Sequence, residues 1–366
     1  MTTIQDITHF LEQLAPLTYQ ESYDNAGLIV GDAQQTVTNI LISLDVTEAV
    51  VEEAVAKNCN LIVAHHPIVF KGLKKLNGRN YVERTVIKAI KNDVTIYAIH
   101  TNLDNVTGGV NDKIAERLGL QRVKILAPKS DILLKLVSFA PVADAPKVLE
   151  ALHDAGAGQI GNYDRCSFSV EGDGTFRPND KANPYIGSAN AIETVREQRF
   201  EVIFPAYLQT KVLNALKNAH PYEEVAYYVS ALQNQYQEVG AGAIGDLETP
   251  LLAAEFLAML KQAMNLNVIK HTALVKERVQ KVAVCGGAGG FLLADAIRSG
   301  ADVFVTADYK YHEYFDADGR IIICDIGHYE SEVFTKELLQ QYISRKFVNF
   351  APILSETNTN PVSYYI

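Results

Sequence analysis

The chain has no tryptophan and only four cysteines, Cys59, Cys166, Cys285 and Cys324, none of them in a close pair. That spacing excludes thiolate zinc sites and redox motifs built on CxxC. Cys59, Cys285 and Cys324 lie in or beside apolar runs, where cysteine acts as a small buried hydrophobe. No apolar run reaches membrane length, and the opening Met1-Thr-Thr-Ile-Gln-Asp6 has neither the basic region nor the apolar stretch of a signal peptide. A cytoplasmic protein without disulfides is therefore expected. Positive charge is in short supply too: 33 Lys and Arg stand against 43 Asp and Glu, a formal net charge of −10. A broad nucleic-acid surface is disfavoured, and only a local basic patch would serve one.

What is present is a soluble-globular composition, 48% hydrophobic and 21% charged over 366 residues, enough for two or three domains. The stretch Leu61-Ile-Val-Ala-His-His-Pro67 organises the reading. Leu, Ile and Val predict a buried strand that Pro67 stops, which puts His65 and His66 at its C-terminal rim, where open α/β sheets bind ligands. Before it come a helix capped by Thr3 and a polar segment, Glu21 to Leu28, offering Asp24 and Asn25 as a site wall or a plain loop. A strand Asn39–Asp45 and a helix opened by Thr47 then make a βαβ crossover, with Asp45 read as a cap. A helix over 81–91 and a strand over 94–99 bring His100 to a second strand end. Asp104 follows it, then Gly108-Gly109 and a helix over 110–118.

From residue 131 the texture changes. Strand, helix, short strand, a Gly/Asn/Pro-rich loop over 171–188, then strand, helix and strand approximate βαββαβ, a ferredoxin-like module placed between two parts of something else. Within it, His220-Pro-Tyr-Glu-Glu224 reads as a helix stop and turn, with ligand binding as the alternative. Gly240 to Asp246 reads as a linker or re-entry turn, and Thr249-Pro250 as the start of a helix.

The C-terminal part repeats the N-terminal plan: strand 281–285, helix 291–299, strand 301–306 and strand 320–324. Thr306 to His312 then stands where Ala64 to Pro67 stood, and Ile326 to Glu332 near the place of the His100 loop. His328 and Glu332, four apart, share one face if a helix running on to about Tyr342 reaches back to His328, and Glu332 then lies near its N-terminal end. Residues able to converge are His65, His66, His100, Asp104, His328 and Glu332. Four imidazoles and two carboxylates suit two divalent ions, and mixed N and O ligands without thiolate fit zinc, iron, manganese or cobalt. The alternative is that the histidines pack and Glu332 caps. Gly286 to Gly290 follows a strand and precedes a helix, so its amides either cradle an anion or form a tight turn. His312 and Asp308, after the equivalent strand, are the candidate catalytic residues, His312 as proton donor or phosphate contact.

Tyr23-Asp-Asn-Ala-Gly-Leu28, His65-His-Pro67, His100-Thr-Asn-Leu-Asp104, Thr306-Ala-Asp-Tyr-Lys-Tyr-His312 and Gly327-His-Tyr-Glu-Ser-Glu332 together resemble the NIF-three-like proteins, or GTP cyclohydrolase 1 type 2 homologues, over essentially the whole chain. The resemblance implies an α/β fold: a three-layer αβα core of two related halves, residues 1–127 and 235–366, with a PII/CutA-like, ferredoxin-like insert over 128–234. It also implies a dinuclear centre on the six residues above, holding two divalent ions per subunit with zinc ahead of iron or manganese, and a toroidal homohexamer. Ala307 departs from it, standing where the family commonly has glycine.

Two functions follow as expectations. One is a metal-dependent hydrolase of a nucleotide or another phosphorylated small molecule, since opening a purine ring needs an activated water. The other is a non-enzymatic metal-binding or regulatory ring whose insert senses a small ligand.

Overall fold

The computed structural model describes residues 1–365. They form two compact units: Met1–Pro128 with the chain from Glu238 onward, and Lys129–Gln237. Among the described residues no helix is long and apolar enough to cross a membrane.

The first unit contains two sheets. In one, strands Thr95–Ala98, Leu61–Ala64, Ile40–Ser43 and Ile353–Leu354 run parallel in that spatial order, and Gly27–Val30 adds an antiparallel edge beside Thr95–Ala98. The three strands at its centre are buried throughout. Their unbroken apolar runs are what a sheet covered on both faces requires. The crossover helix Glu48–Ala56 begins where Thr47 Oγ1 accepts the Val50 amide at 3.3 Å, so Thr47 is the cap and Asp45 is left free for other work. Val50, Val51 and Ala54 turn inward onto Leu41 and Ile62.

The other sheet has the order Lys270–His271, Ile322–Asp325, Val303–Ala307, Arg278–Ala288, Tyr236–Leu252, Gln121–Lys129. Its strands Arg278–Ala288, Val303–Ala307 and Ile322–Asp325 are again three parallel neighbours, with the helix Leu293–Arg298 between the first two. Phe304, Ala283 and Ile323 form the core under that helix.

Two segments depart from the sequence expectation. Gly240 to Asp246 is no turn: it lies inside the strand Tyr236–Leu252, with Ala243 opposite Val284 and Asp246 opposite Lys281. A Cβ on Gly240 would sit 2.3 Å from the Ala127 carbonyl, so this glycine marks a close backbone approach. Nor does Thr249-Pro250 start a helix. The strand resumes with Leu251 opposite Val279, the proline falls in the irregular stretch of the ladder, and the helix begins at Ala253, where the Glu255 side chain accepts the Leu252 amide.

The second unit runs strand Leu133–Pro141, helix Ala145–Asp154, strands Phe168–Phe176 and Glu193–Pro205, helix Gln209–Ala219, strand Tyr227–Leu232. All pairings are antiparallel, in the order 168–176, 193–205, 133–141, 227–232. Leu136, Phe200 and Phe204 on the sheet face Val148, Leu152, Val212 and Leu216 on the helices. The Gly-rich stretch after residue 171 continues as strand to Phe176 before the chain loops.

Candidate metal centre

The first sheet supplies one side of a cleft of about 550 Å³ within the first unit. After Ala64 the chain leaves the strand, and the amides of His65 and His66 donate to the carbonyls of Ser43 and Leu44. The strict alternation of a strand lapses, so both rings turn the same way, with centroids 4.9 Å apart. His100 follows the neighbouring strand, and the short helix Thr101–Asp104 carries Asp104 into the same space.

The second sheet supplies the other side. After Ile322–Asp325 comes Gly327 at φ +90°, then the helix His328–Glu332. One turn separates His328 from Glu332, and their Nε2 and Oε2 atoms lie 3.1 Å apart. The expected long helix is two, His328–Glu332 and Thr335–Lys346. Glu332 therefore ends the first helix, and the favourable N-terminal dipole expected for it does not apply.

The Nδ1 atom of every one of these histidines is already committed. His65 donates to the Ile99 carbonyl at 2.8 Å, and His66, His100 and His328 donate to Asp45, Asp24 and Asp308, each at 2.7 Å. Carbonyls and carboxylates only accept, so Nδ1 carries the proton and Nε2 is the nitrogen left to bind a cation. Glu332 lies among them: Oε2 is 2.9 Å from His66 Nε2 and 3.1 Å from His328 Nε2, while Oε1 is 3.9 Å from His65 Nε2. Asp104 Oδ1 stands 3.6 Å from His65 Nε2. The ligand atoms fall into three overlapping triads, His65/His66/His100, His66/His328/Glu332 and His65/Asp104/Glu332, each with its atoms within 4.8 Å of one another.

His65 Nε2 and Asp104 Oδ1 are buried without a hydrogen-bond partner. Unsatisfied polar atoms facing each other in a protein interior are costly unless a further group joins them, and a divalent cation fits this donor set. Electrostatics agree. Burial opposes a charged His66, yet its bonds to Asp45 and Glu332 push it up to about 10. Burial likewise opposes charge on His328, while Glu332 and Asp308 raise it to about 9. His65, wholly buried, is held below the ordinary imidazole value by desolvation. Burial and the neighbouring Glu332 charge raise Asp104 well above the carboxylate range, whereas Glu332, despite its burial, is lowered by the imidazoles of His328 and His66. Burial also works against Asp24, and its bonds from His100 and Thr101 outweigh it, bringing it to about 2. Positive charge is thus favoured at His66 and His328, beside the Glu332 carboxylate, and disfavoured at His65. The clustered triads are consistent with a dinuclear metal site.

The structure brings all six expected ligand residues together. Asp308 reaches the cluster only through His328 Nδ1, from a left-handed backbone position at φ +57°. Its neighbour Ala307 is buried in the strand and outside that region, so the methyl in place of hydrogen is accommodated. His312 is exposed on the 3-10 turn Tyr311–Ala317, in ring contact with Tyr311 and Phe315, and is not part of the cleft lining. Asn25 turns aside to donate to the Val69 carbonyl at 2.6 Å.

The glycine run cradles no anion with the amides of Gly286, Gly287 and Gly289. These donate to Asn111, Ser331 and Thr306, and a Cβ on Gly287 would lie 2.5 Å from Glu332 Oε1. Its glycines leave room for the Glu332 carboxylate. Nothing local in the sequence marks Asp45 as the partner of His66, because strand-end aspartates usually cap. Thr359, which donates to Asp45 at 2.5 Å, sits in a C-terminal segment with no periodic pattern to signal it.

The family model for Duf34/NIF3 (NGG1p interacting factor 3) matches residues 2–361. A Bacillus subtilis (strain 168) protein named GTP cyclohydrolase 1 type 2 homolog is 39% identical over 367 residues, spanning 98% of each chain. The crystal structure of a Bacillus cereus protein related to NIF3 is 40% identical with a TM-score of 0.87, covering 100% of this chain and 99% of that one. A Staphylococcus aureus structure is 29% identical at a TM-score of 0.80, with 100% and 99% covered. The chain belongs to the Duf34/NIF3 family.

Proposed function

We propose that the protein is a metal-dependent hydrolase of a nucleotide or another phosphorylated small molecule, built on two divalent ions per chain. The observation that carries this reading is Glu332, whose two oxygens face different histidines, Oε1 toward His65 and Oε2 toward His66 and His328. One ion would be held by His65, Asp104 and Glu332, the other by His66, His328 and Glu332, with His100 beside both. The donor set suits zinc, with iron or manganese as alternatives. Such ions, when bound, supply Lewis acidity toward water and an oxygen-rich substrate.

The chain's own residues do the rest. Asp45, Asp24 and Asp308 orient the imidazoles, and the buried position of Glu332 keeps bulk water from competing for its oxygens. Tyr23, Phe70, Tyr81 and Phe291 line the cleft and are exposed, which offers flat apolar surface to a planar base. A volume of about 550 Å³ falls within the range of small-molecule sites, roughly 300–1,000 Å³. The relatives' name, GTP cyclohydrolase 1 type 2 homolog, points to guanosine triphosphate as the first compound to try.

The same reading extends to architecture. The repeated set of three parallel strands supports two related halves, and the βαββαβ order of residues 129–237 supports a ferredoxin-like, PII/CutA-like insert between them. A toroidal homohexamer in the cytoplasm is proposed from the family resemblance. Asp308 acts here as a positioning residue for His328, and His312 has a catalytic part only if a substrate reaches out to it.

That last placement favours a second reading, a metal-binding regulatory assembly without turnover, because His312, the candidate proton donor, lies outside the cleft lining. Metal-loaded protein incubated with a nucleotide panel, followed for formate and phosphate release, separates the two. Turnover lost in both His66→Ala and Glu332→Ala supports the hydrolase; absence of turnover across the panel moves the second reading ahead.

A further inference from the structure

Away from the metal cleft, the unit Lys129–Gln237 has a cavity of about 480 Å³ of its own. Four aromatic side chains line it: Phe139, Phe176, Tyr185 and Tyr222. Tyr222 is central, its ring centroid 5.9 Å from that of Phe176 and 6.2 Å from that of Tyr185, with interplanar angles of 58° and 51°. Rings tilted in this way make a concave set of faces rather than a parallel slot, which suits a rounded guest better than a flat one.

The cavity also carries a carboxylate. Glu197 Oε1 accepts the Tyr222 hydroxyl at 2.9 Å, and Oε2 lies where a Cβ on Gly174 would come within 2.2 Å, so glycine at 174 leaves the space that this carboxylate occupies. No Lys or Arg among the described residues forms an ion pair with Glu197. Arg177 borders the cavity too, exposed, against the carboxylates of Glu197, Glu223 and Glu224, so the lining is acidic on balance.

The His220-Pro-Tyr-Glu-Glu224 segment has a role in this arrangement. His220 is buried, bonds the Phe139 carbonyl through Nε2 at 2.7 Å and accepts the Tyr222 amide on Nδ1 at 3.0 Å. Glu223 Oε1 accepts the Asn183 amide at 2.8 Å, tying the loop after Phe176 across the cavity. The turn therefore fixes the central ring and its wall in advance, and a preformed site has less ordering to lose on binding.

We propose that this cavity binds an organic ammonium ion, the aromatic faces taking its apolar charged head and Glu197 its charge. Aromatic faces attract cations through the ring quadrupole, and a carboxylate without a cationic partner adds directly to that attraction. The inference is independent of the metal centre.

The test is calorimetric titration of the full chain with choline and with its neutral carbon isostere 3,3-dimethyl-1-butanol, at constant ionic strength. Choline is expected to bind about tenfold more tightly than the isostere. Tyr222→Ala and Glu197→Gln are each expected to weaken choline about fivefold or more while leaving metal content unchanged. Equal binding of the two compounds, no binding of choline at millimolar concentration, or wild-type affinity retained in both variants would overturn the proposal. The isostere comparison needs no variant, so a folding defect in either one leaves the test intact.

Discussion

On one side of the metal cleft, His65, His66 and His100 leave the ends of strands buried along their whole length, and the carboxylate of Asp24 that orients His100 is itself fully buried. On the other side, His328 and Glu332 ride a five-residue helix behind Gly327, and the Asp308 carboxylate that orients His328 is 51% exposed. The first side is fixed by the sheet that carries it. The second depends on one short helix and one solvent-facing carboxylate. Glu332 has atoms facing both groups of histidines, and His328 Nε2 also comes within 3.4 Å of His66 Nε2, so the two sides meet at the Glu332 carboxylate and this pair of rings.

That contrast orders the expected effects. Glu332→Ala should do most, lowering bound metal from about two ions per chain to fewer than one, measured by elemental analysis after dialysis. His66→Ala should cost at least one ion; full occupancy in both purified variants would break the ligand assignment. Asp24→Asn and Asp308→Asn then compare the two sides directly. Removing a carboxylate behind a ligating histidine typically costs about 10–100-fold in metal affinity. Asp24→Asn belongs at the upper end because its loss leaves the buried Thr101 and half-buried His100 donors weakly paired, and Asp308→Asn at the lower end because water can replace it. Equal losses would show that burial does not set the difference.

Protons compete for the same nitrogens. Their carboxylate partners raise His66 and His328 to about 10 and 9, so metal binding near neutrality displaces a proton from each. Apparent affinity should therefore rise with pH through the neutral range, by up to about a hundredfold per unit, and flatten above pH 9–10; competition titration with a chelator indicator at several pH values reads this out.

The smallest effect concerns the tail that braces the first side. Glu53 accepts from Ser355 Oγ, Thr357 Oγ1 and the amides of Glu356 and Thr357, tying the C-terminal segment near Thr359 to the helix Glu48–Ala56. Burial opposes its charge, but these bonds and Lys57 bring its pKa down from 4.5 to about 2. A lowered carboxylate pKa means stability present above the unfolded value and lost as pH falls toward the folded one. Glu53→Gln should cost about 1–3 kcal/mol at pH 7, and the gap to the wild type should close between pH 4.5 and 2 in denaturant titrations.

How far the sequence anticipated this molecule depended on whether the signal was local. Apolar runs ending in His65-His66 and His100 exposed both strand rims, and the i, i+4 spacing of His328 and Glu332 put them on one face. Long-range partnership left no such mark. Asp45 and Asp308 resemble ordinary turn and cap residues until the fold sets each against an imidazole. Gly240 to Asp246 reads as a turn because glycine usually signals one, whereas here the ladder with 281–284 overrides local preference. The edge strands Gly27–Val30, Gln121–Lys129 and Ile353–Leu354 carry no local mark for the same reason: short or polar segments become strands only because a neighbour offers a free edge.

The most direct test is anomalous diffraction from metal-loaded crystals, collected at the zinc, iron and manganese edges. Two peaks about 3.5–4 Å apart, one beside His65 and Asp104, the other beside His66 and His328, both contacting Glu332, are the expected result. A single peak, or two in pockets that do not share Glu332, would contradict a centre joined by that residue.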